Sequence, residues 1–263
     1  MQLREYALSI VDGPSLEAKL RPPPSSLVYE PFDAVVRSGP ARDAAIALAT
    51  KGPRLPGLGA LKDSKARAAC LSRFAHHELC AVELFAWALL AFPSMPAALQ
   101  RGFVQTLAEE QEHCRLYLAR LDTHDVAFGS LPLTDYFWRH VATIAAAPNG
   151  PLAFLCAMGL TLEQANLDFT LMFRDAFRAA GDDESARVMQ RVHDDEIGHV
   201  KLAATWACKL ASSGDDVAAY REHAPFPFSL ARAKGRKFDD PSRVRAGLSR
   251  DMIEAVRDAR PYE

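Results

Sequence analysis

Long uninterrupted apolar runs are missing from this chain of 263 residues. The longest candidate, Leu84 to Phe92, falls well short of the roughly 18 residues a membrane span needs, so no membrane partner is expected. An excess of one charge is missing too. The formal net charge is −2, which excludes a global field steering the protein toward nucleic acid or an anionic surface. Paired cysteines are absent as well. The five present (Cys70, Cys80, Cys114, Cys156, Cys208) are odd in number and scattered, with no C-x-x-C. That pattern disfavours a zinc knuckle or a disulfide framework and suits a reducing cytoplasm. The first residues, Met1-Gln2-Leu3-Arg4-Glu5, hold an acid and no sustained apolar segment, so no secretory signal is expected. No flavin or nicotinamide fingerprint is visible. What is there, 49% hydrophobic and 24% charged residues, is ordinary for a globular protein with a sizeable core.

Apolar periodicity predicts an all-α fold. Residues 1–62 form an irregular, Pro-rich segment expected to pack as a collar, with short helices at Met1–Val11 and Pro40–Thr50. Arg21-Pro22-Pro23-Pro24 and the stretch Gly52 to Gly59 are extended, because proline fixes φ and removes a donor. Residues 63–214 should hold four long helices. The first, capped by Asp63 or Ser64, runs to Phe92 and stops at Pro93; the second spans about Pro96 to Leu121. A long connection, with a short helix from Thr134 to Ala147, lets the third helix (Pro151 to Ala180) return beside the first two. The fourth runs from about Glu184 to Ser212. Residues 215–263 form an extension with a helix at Asp216–His223 and a basic patch of Arg232, Lys234, Arg236, Lys237, Arg243, Arg245 and Arg250. A solvated face is the ordinary meaning of such a patch.

The four helices carry a repeated acidic pattern. Glu110-Gln111-Glu112-His113 and Glu196-Ile197-Gly198-His199 each place a Glu and a His three apart, on one face of a helix. A further glutamate lies a hairpin's length upstream of each: Glu78 is 32 residues before Glu110, and Glu163 is 33 before Glu196. The halves repeat with offsets of 85 (78 to 163) and 86 (110 to 196, 113 to 199). Two Glu and two Glu-x-x-His from four helices are the ligand set of a carboxylate-bridged dinuclear centre inside a bundle. Four carboxylates offset the charge of two metal ions and suit iron or manganese; a set without thiolate is a poor fit to structural zinc. The metal ligands are therefore read as Glu78, Glu110, His113, Glu163, Glu196 and His199. The cofactor is read as two iron ions, with manganese or a mixed Mn/Fe pair left open.

Glu83 is the reserve to Glu78. Glu78 and Glu110 are each 16 residues from Ser94, the middle of the turn, whereas Glu83 would centre the pair inside the second helix. It also lies about 140° around the helix from Glu78. Tyr117, one turn past His113, is a candidate redox residue or a core tyrosine. His193, three before Glu196, is a candidate base beside the metals or a seventh ligand. Asp195 and Glu109 are placed to accept the N–H of a ligand histidine on another helix. His76 and His77 read as polar surface or as support for Glu78. Gly198, mid-helix, would admit either a close neighbour or a bulge. Asp168 follows Glu163 by five, as Glu83 follows Glu78, and reads as its structural counterpart.

With these residues in view, the chain resembles the ferritin-like superfamily, and more narrowly a bacterial ferritin-like branch of unknown function. The stretch His76-His77-Glu78-Leu79-Cys80-Ala81-Val82-Glu83-Leu84-Phe85-Ala86-Trp87, the later Asp195-Glu196-x-x-His199 and the ending around Arg245-Ala246-Gly247-Leu248 carry the likeness, which covers about residues 60–250. The second helix reads Glu109-Glu110-x-x-His113 where that pattern has Asp-Glu-x-x-His. The resemblance implies a four-helix bundle with a long crossover between the second and third helices. Relatives in that superfamily include iron stores, rubrerythrin-type peroxide reductases and di-iron hydroxylases.

The leading expectation is a non-haem di-iron oxidoreductase that activates dioxygen or peroxide to oxidise or hydroxylate a small molecule, with electrons from a separate donor. The alternative is a ferroxidase, iron-handling or peroxide-reducing protein without an organic substrate. A degenerate, non-catalytic module is the third reading. Only the basic tail motivates a tRNA substrate, and an oligomer is left open.

Overall fold

The computed structural model describes residues 1–260. The chain is mostly helical, and it divides into two compact units, Met1–Ala142 and Thr143–Glu263. Each unit is built on one long helical hairpin. The irregular segment 1–62 belongs to the first unit and the C-terminal extension from 215 to the second, its last three positions lying outside the described residues.

In the first unit, α1 (Leu3–Val11) and α2 (Leu16–Lys19) precede a two-residue strand β1 (Leu48–Ala49). The long helices α3 (Ser64–Ala91) and α4 (Ala97–Asp122) pack as a hairpin, and α1 packs on α3. Asp63 caps α3 by accepting from the Lys65 amide, satisfying a donor the helix leaves open. Pro93 and Pro96 enforce the turn, since neither can donate to a continuing helix. Every residue from Glu78 to Ala91 is buried, so this half of α3 is a core helix on all sides rather than an amphipathic one. By length and composition α3 would suffice to cross a membrane, a point that counting unbroken apolar runs overlooks, but 89% of its most apolar window is buried inside the protein.

The sequence predicts a helix over Pro40–Thr50; the structure has only a single 3₁₀ turn, Ala44–Ile46, followed by β1. The backbone there bonds elsewhere, Ala41 N–H to the Val11 carbonyl and Asp43 N–H to that of Pro14. β1 pairs in parallel with β2 (Leu133–Thr134), with Leu48 opposite Leu133 and Ala49 opposite Thr134. Thr134, expected to cap a helix, is therefore in a strand, and the helical residues begin at Trp138 and continue as α5 (Val141–Ala145).

In the second unit the expected third helix is divided. It comprises α6 (Gly150–Ala157), a π-helical segment (Met158–Glu163) and α7 (Gln164–Ala179). The wider π turn brings its backbone against α8 (Asp183–Leu210): a Cβ on Gly159 would meet the Cβ of Ala203 at 2.2 Å, a position only glycine can hold. Asp182 caps α8 through the Ser185 amide and hydroxyl. Three short helices complete the unit: α9 (Asp216–His223), α10 (Asp240–Arg245) and α11 (Arg250–Asp258).

Candidate metal-binding triads

Each hairpin carries one buried cluster of two glutamates and a histidine. In the first unit α3 supplies Glu78 and α4 supplies Glu110 and His113. One donor atom from each lies within 4.8 Å of the others, and all three side chains are buried. In the second unit the end of the π segment supplies Glu163, and α8 supplies Glu196 and His199, again with donor atoms inside 4.8 Å and all three buried. The i,i+3 spacing does what helical geometry requires: His113 Nδ1 stands 3.2 Å from Glu110 Oε2, and His199 Nδ1 stands 3.3 Å from Glu196 Oε2. Asn166, one turn beyond Glu163, donates to Glu196 Oε1 at 3.0 Å and fixes that carboxylate. It was not foreseen, although its place on the stripe of Glu163 is a readable signal.

Two carboxylates buried this close repel, and burial away from water magnifies the repulsion. A divalent cation offsets both charges. The donors are four hard carboxylate groups and two imidazoles over the two triads. The adjacent Cys114 is no thiolate donor, because its thiol donates to the Ala75 carbonyl at 3.3 Å and burial pushes it well above its ordinary range. The donor set therefore fits a metal such as iron or manganese. These buried acidic and histidine residues could hold a metal ion.

Glu83, the reserve ligand, has another task. It accepts from Arg42 Nε and Nη2 at 2.9 Å each and from Trp138 Nε1 at 2.8 Å, and it pairs with Lys19 Nζ at 3.1 Å. The choice of Glu78 over Glu83 agrees with the cluster. Asp168 likewise binds Arg243 at 2.7 and 2.9 Å and accepts the Gly235 and Asp239 amides at 2.8 and 2.7 Å. Neither carboxylate was traceable to its partners, because Lys19, Arg42, Trp138 and Arg243 lie outside the four long helices at no spacing that relates them to Glu83 or Asp168.

His193 stands in neither triad. The Thr170 hydroxyl spends its one proton on the Asn166 carbonyl, so it accepts from His193 Nδ1 at 3.0 Å. His193 Nε2 then accepts from the Ser242 hydroxyl at 3.0 Å. With its lone pair so engaged, the imidazole is not a seventh ligand, and burial holds its pKa below the usual histidine value. Tyr117 is buried, its ring 5.5 Å from that of Phe74, as a core tyrosine would be. His76 is buried rather than surface: its Nε2–H donates to the Thr134 carbonyl at 2.8 Å, and desolvation lowers its pKa to about 4. His77 is half-buried against Phe137.

Asp195 accepts from Arg191 at 2.7 Å and Glu109 from Gln105 at 3.0 Å, contacts within their own helices. Gly198 is exposed with nothing within 4 Å of a built Cβ; the close approach belongs to Gly159 and the bulge to the π segment. The basic patch is largely spent on local partners. Arg243 is fully buried on Asp168, Lys234 donates to the Arg257 and Ala259 carbonyls, Lys237 and Arg245 face Asp175 and Asp194, and Arg250 pairs with Glu254.

A family model described as "Protein of unknown function (DUF455)" matches residues 17–254. No curated protein and no solved structure matches the chain. A match over that much of the sequence is decisive for membership: the chain belongs to the DUF455 family.

Proposed function

We propose that the protein is a ferritin-like, four-helix, dinuclear-metal oxidoreductase whose two Glu–Glu–His triads together hold a pair of iron ions. One observation carries the reading: two buried triads of the same composition, one per hairpin, recur in the same order along the chain. Bound iron would supply Lewis acidity and one-electron redox chemistry toward dioxygen or peroxide.

The chain's own residues do the rest. Glu78, Glu110 and His113 bind in the first triad, and Glu163, Glu196 and His199 in the second. Asn166 orients the Glu196 carboxylate through Oε1. The apolar length of α3 excludes bulk water from its side of the cluster, which keeps electrostatic interactions there strong. The neutral His193 ties α8 to α7 and α10 through two hydroxyls and so holds the helix that bears Glu196 and His199. The substrate is proposed to be a small organic molecule, and the electrons to come from a separate reductase.

Metal analysis of protein purified from iron-supplied cells, with absorption spectroscopy under air, tests this. About two irons per chain with an oxo-bridge band supports the reading. A large multiple of two favours iron storage, and protein free of metal overturns it.

A further inference from the structure

We propose that the second unit carries a ligand site of its own, a cavity at the C-terminal ends of α9 and α11 that takes a small apolar carboxylate. The site is independent of the metal reading and stands or falls without it.

The cavity measures about 440 Å³, within the range of roughly 300–1,000 Å³ that small-molecule sites occupy. Three pieces of chain wall it: the last turn of α9, the segment 224–231, and the end of α11 with the two residues that follow. Tyr220, Phe228 and Leu230 give that wall most of its apolar surface, with alanines between them. The Thr161 hydroxyl spends its proton on the Cys156 carbonyl at 2.7 Å, so the Tyr220 phenol donates to Thr161, at 2.6 Å. With its proton engaged on the π segment, buried Tyr220 offers the cavity an apolar ring.

The wall is fastened before any ligand arrives. The Phe228 amide donates to the Pro225 carbonyl at 2.9 Å, and Arg232 donates to the Pro227 carbonyl at 3.1 Å. Lys234 Nζ donates to the Ala259 carbonyl at 2.8 Å and holds the end of the chain against the site. A preformed pocket loses little ordering entropy when it fills.

Charge selects the ligand. Arg221 and Arg260 line the cavity, and among the described residues neither makes a hydrogen bond or an ion pair. Asp258, the one acid in the lining, is unpaired as well, so two cations face one anion. Lys234, held at the Ala259 carbonyl, adds a further cation at the same end of α11. A guanidinium without a carboxylate partner is a fork that matches carboxylate geometry. An apolar acid lays its hydrocarbon on Phe228 and Leu230 and turns its carboxylate to the arginines. An amine of the same length meets an excess of positive charge.

Isothermal titration calorimetry of the full-length protein with octanoate, octanol and octylamine tests this. Octanoate should bind about fivefold more tightly than octanol, the size of effect that exposed charge pairs supply, and octylamine should bind weakest. Arg221→Gln combined with Arg260→Gln should erase the preference for octanoate and leave octanol binding unchanged. Ala255→Trp fills the cavity from α11 and should abolish binding of both; Leu230→Trp serves if circular dichroism shows that variant unfolded. Octylamine binding most tightly, no saturable binding of octanoate, or octanoate binding that persists in the folded tryptophan variant overturns the site. Each of these leaves the metal reading untouched, since iron content is measured on the same preparations without the acid.

Discussion

The two units repeat more than their metal ligands. Five residues after each upstream glutamate stands a second buried carboxylate, Glu83 in the first and Asp168 in the second, turned to a different task. Glu83 gathers Lys19, Arg42 and Trp138, while Asp168 gathers Arg243 and two amides from the C-terminal extension. The upstream helix of each hairpin uses one glutamate for the cluster and, about 140° around the helix, one acid to fasten a flanking segment. The flanks are thus anchored to the very helices that carry the triads. The difference lies in charge and in backbone: two cations on Glu83 against one on Asp168, and an unbroken α3 against a helix interrupted by a π turn.

The charge difference predicts the largest effect. Removing one partner of a buried ion pair costs about 3–5 kcal/mol because the other charge is left uncompensated. Glu83→Ala strands two cations and Asp168→Ala only one. Urea denaturation of the metal-free proteins should therefore rank Glu83→Ala well below Asp168→Ala, with the former at or beyond the limit of folding. Equal losses would mean that Lys19 is not held as a cation.

The backbone difference predicts the next. Gly159→Ala would drive a methyl group into Ala203, and overpacking of this kind costs roughly 1–3 kcal/mol. Ala203→Gly in the same chain should rescue it in part: the double variant should lose less in thermal unfolding than the sum of the two single losses, since a glycine in α8 itself costs about 1 kcal/mol. Failure of that rescue would place the strain in the π turn itself rather than in the contact between helices.

How much of this was legible depends on what each feature needs. Helix periodicity located both hairpins, and the spacing of Glu78, Glu110 and His113 against Glu163, Glu196 and His199 located both triads, since these are local or hairpin-range patterns. The choice between Glu78 and Glu83 came from counting to the turn at Ser94. The π segment has no periodic signature, so Pro151 to Ala180 read as one helix. The Pro40–Thr50 helix failed because Ala41, Arg42 and Asp43 all bond to distant partners, and tertiary contacts override weak local propensity. A two-residue strand pairing residues 48 and 133 carries no local signal at all.

Both units should lose stability in acid, the first through His76 and the second through His193, and the second contribution can be isolated. Neutral His193 bridges Thr170 and Ser242, and its folded pKa is depressed by burial, with Arg174 and Arg245 lowering it and Asp194 and Asp239 opposing. A depressed histidine stabilises above its unfolded pKa of about 6.5 and loses that contribution as pH falls, because the unfolded chain binds the proton first. The loss is at most about 1.4 kcal/mol per pH unit. His193→Gln should flatten the slope of stability against pH between about 6.5 and 5; an unchanged slope would assign it elsewhere.

The smallest effect comes from a second glycine, and it separates the two glycines that flank the second triad. Gly198 lies between Glu196 and His199 in α8, exposed, at an ordinary helical position, with nothing within 4 Å of a built Cβ. Glycine there gives up about 1 kcal/mol relative to alanine, since it loses more backbone freedom on folding. Gly198→Ala should therefore raise the midpoint of unfolding slightly and leave the iron content per chain unchanged, the opposite sign to Gly159→Ala. A gain in stability bought with lost metal would show instead that the helix must flex between those two ligands to accept the ion.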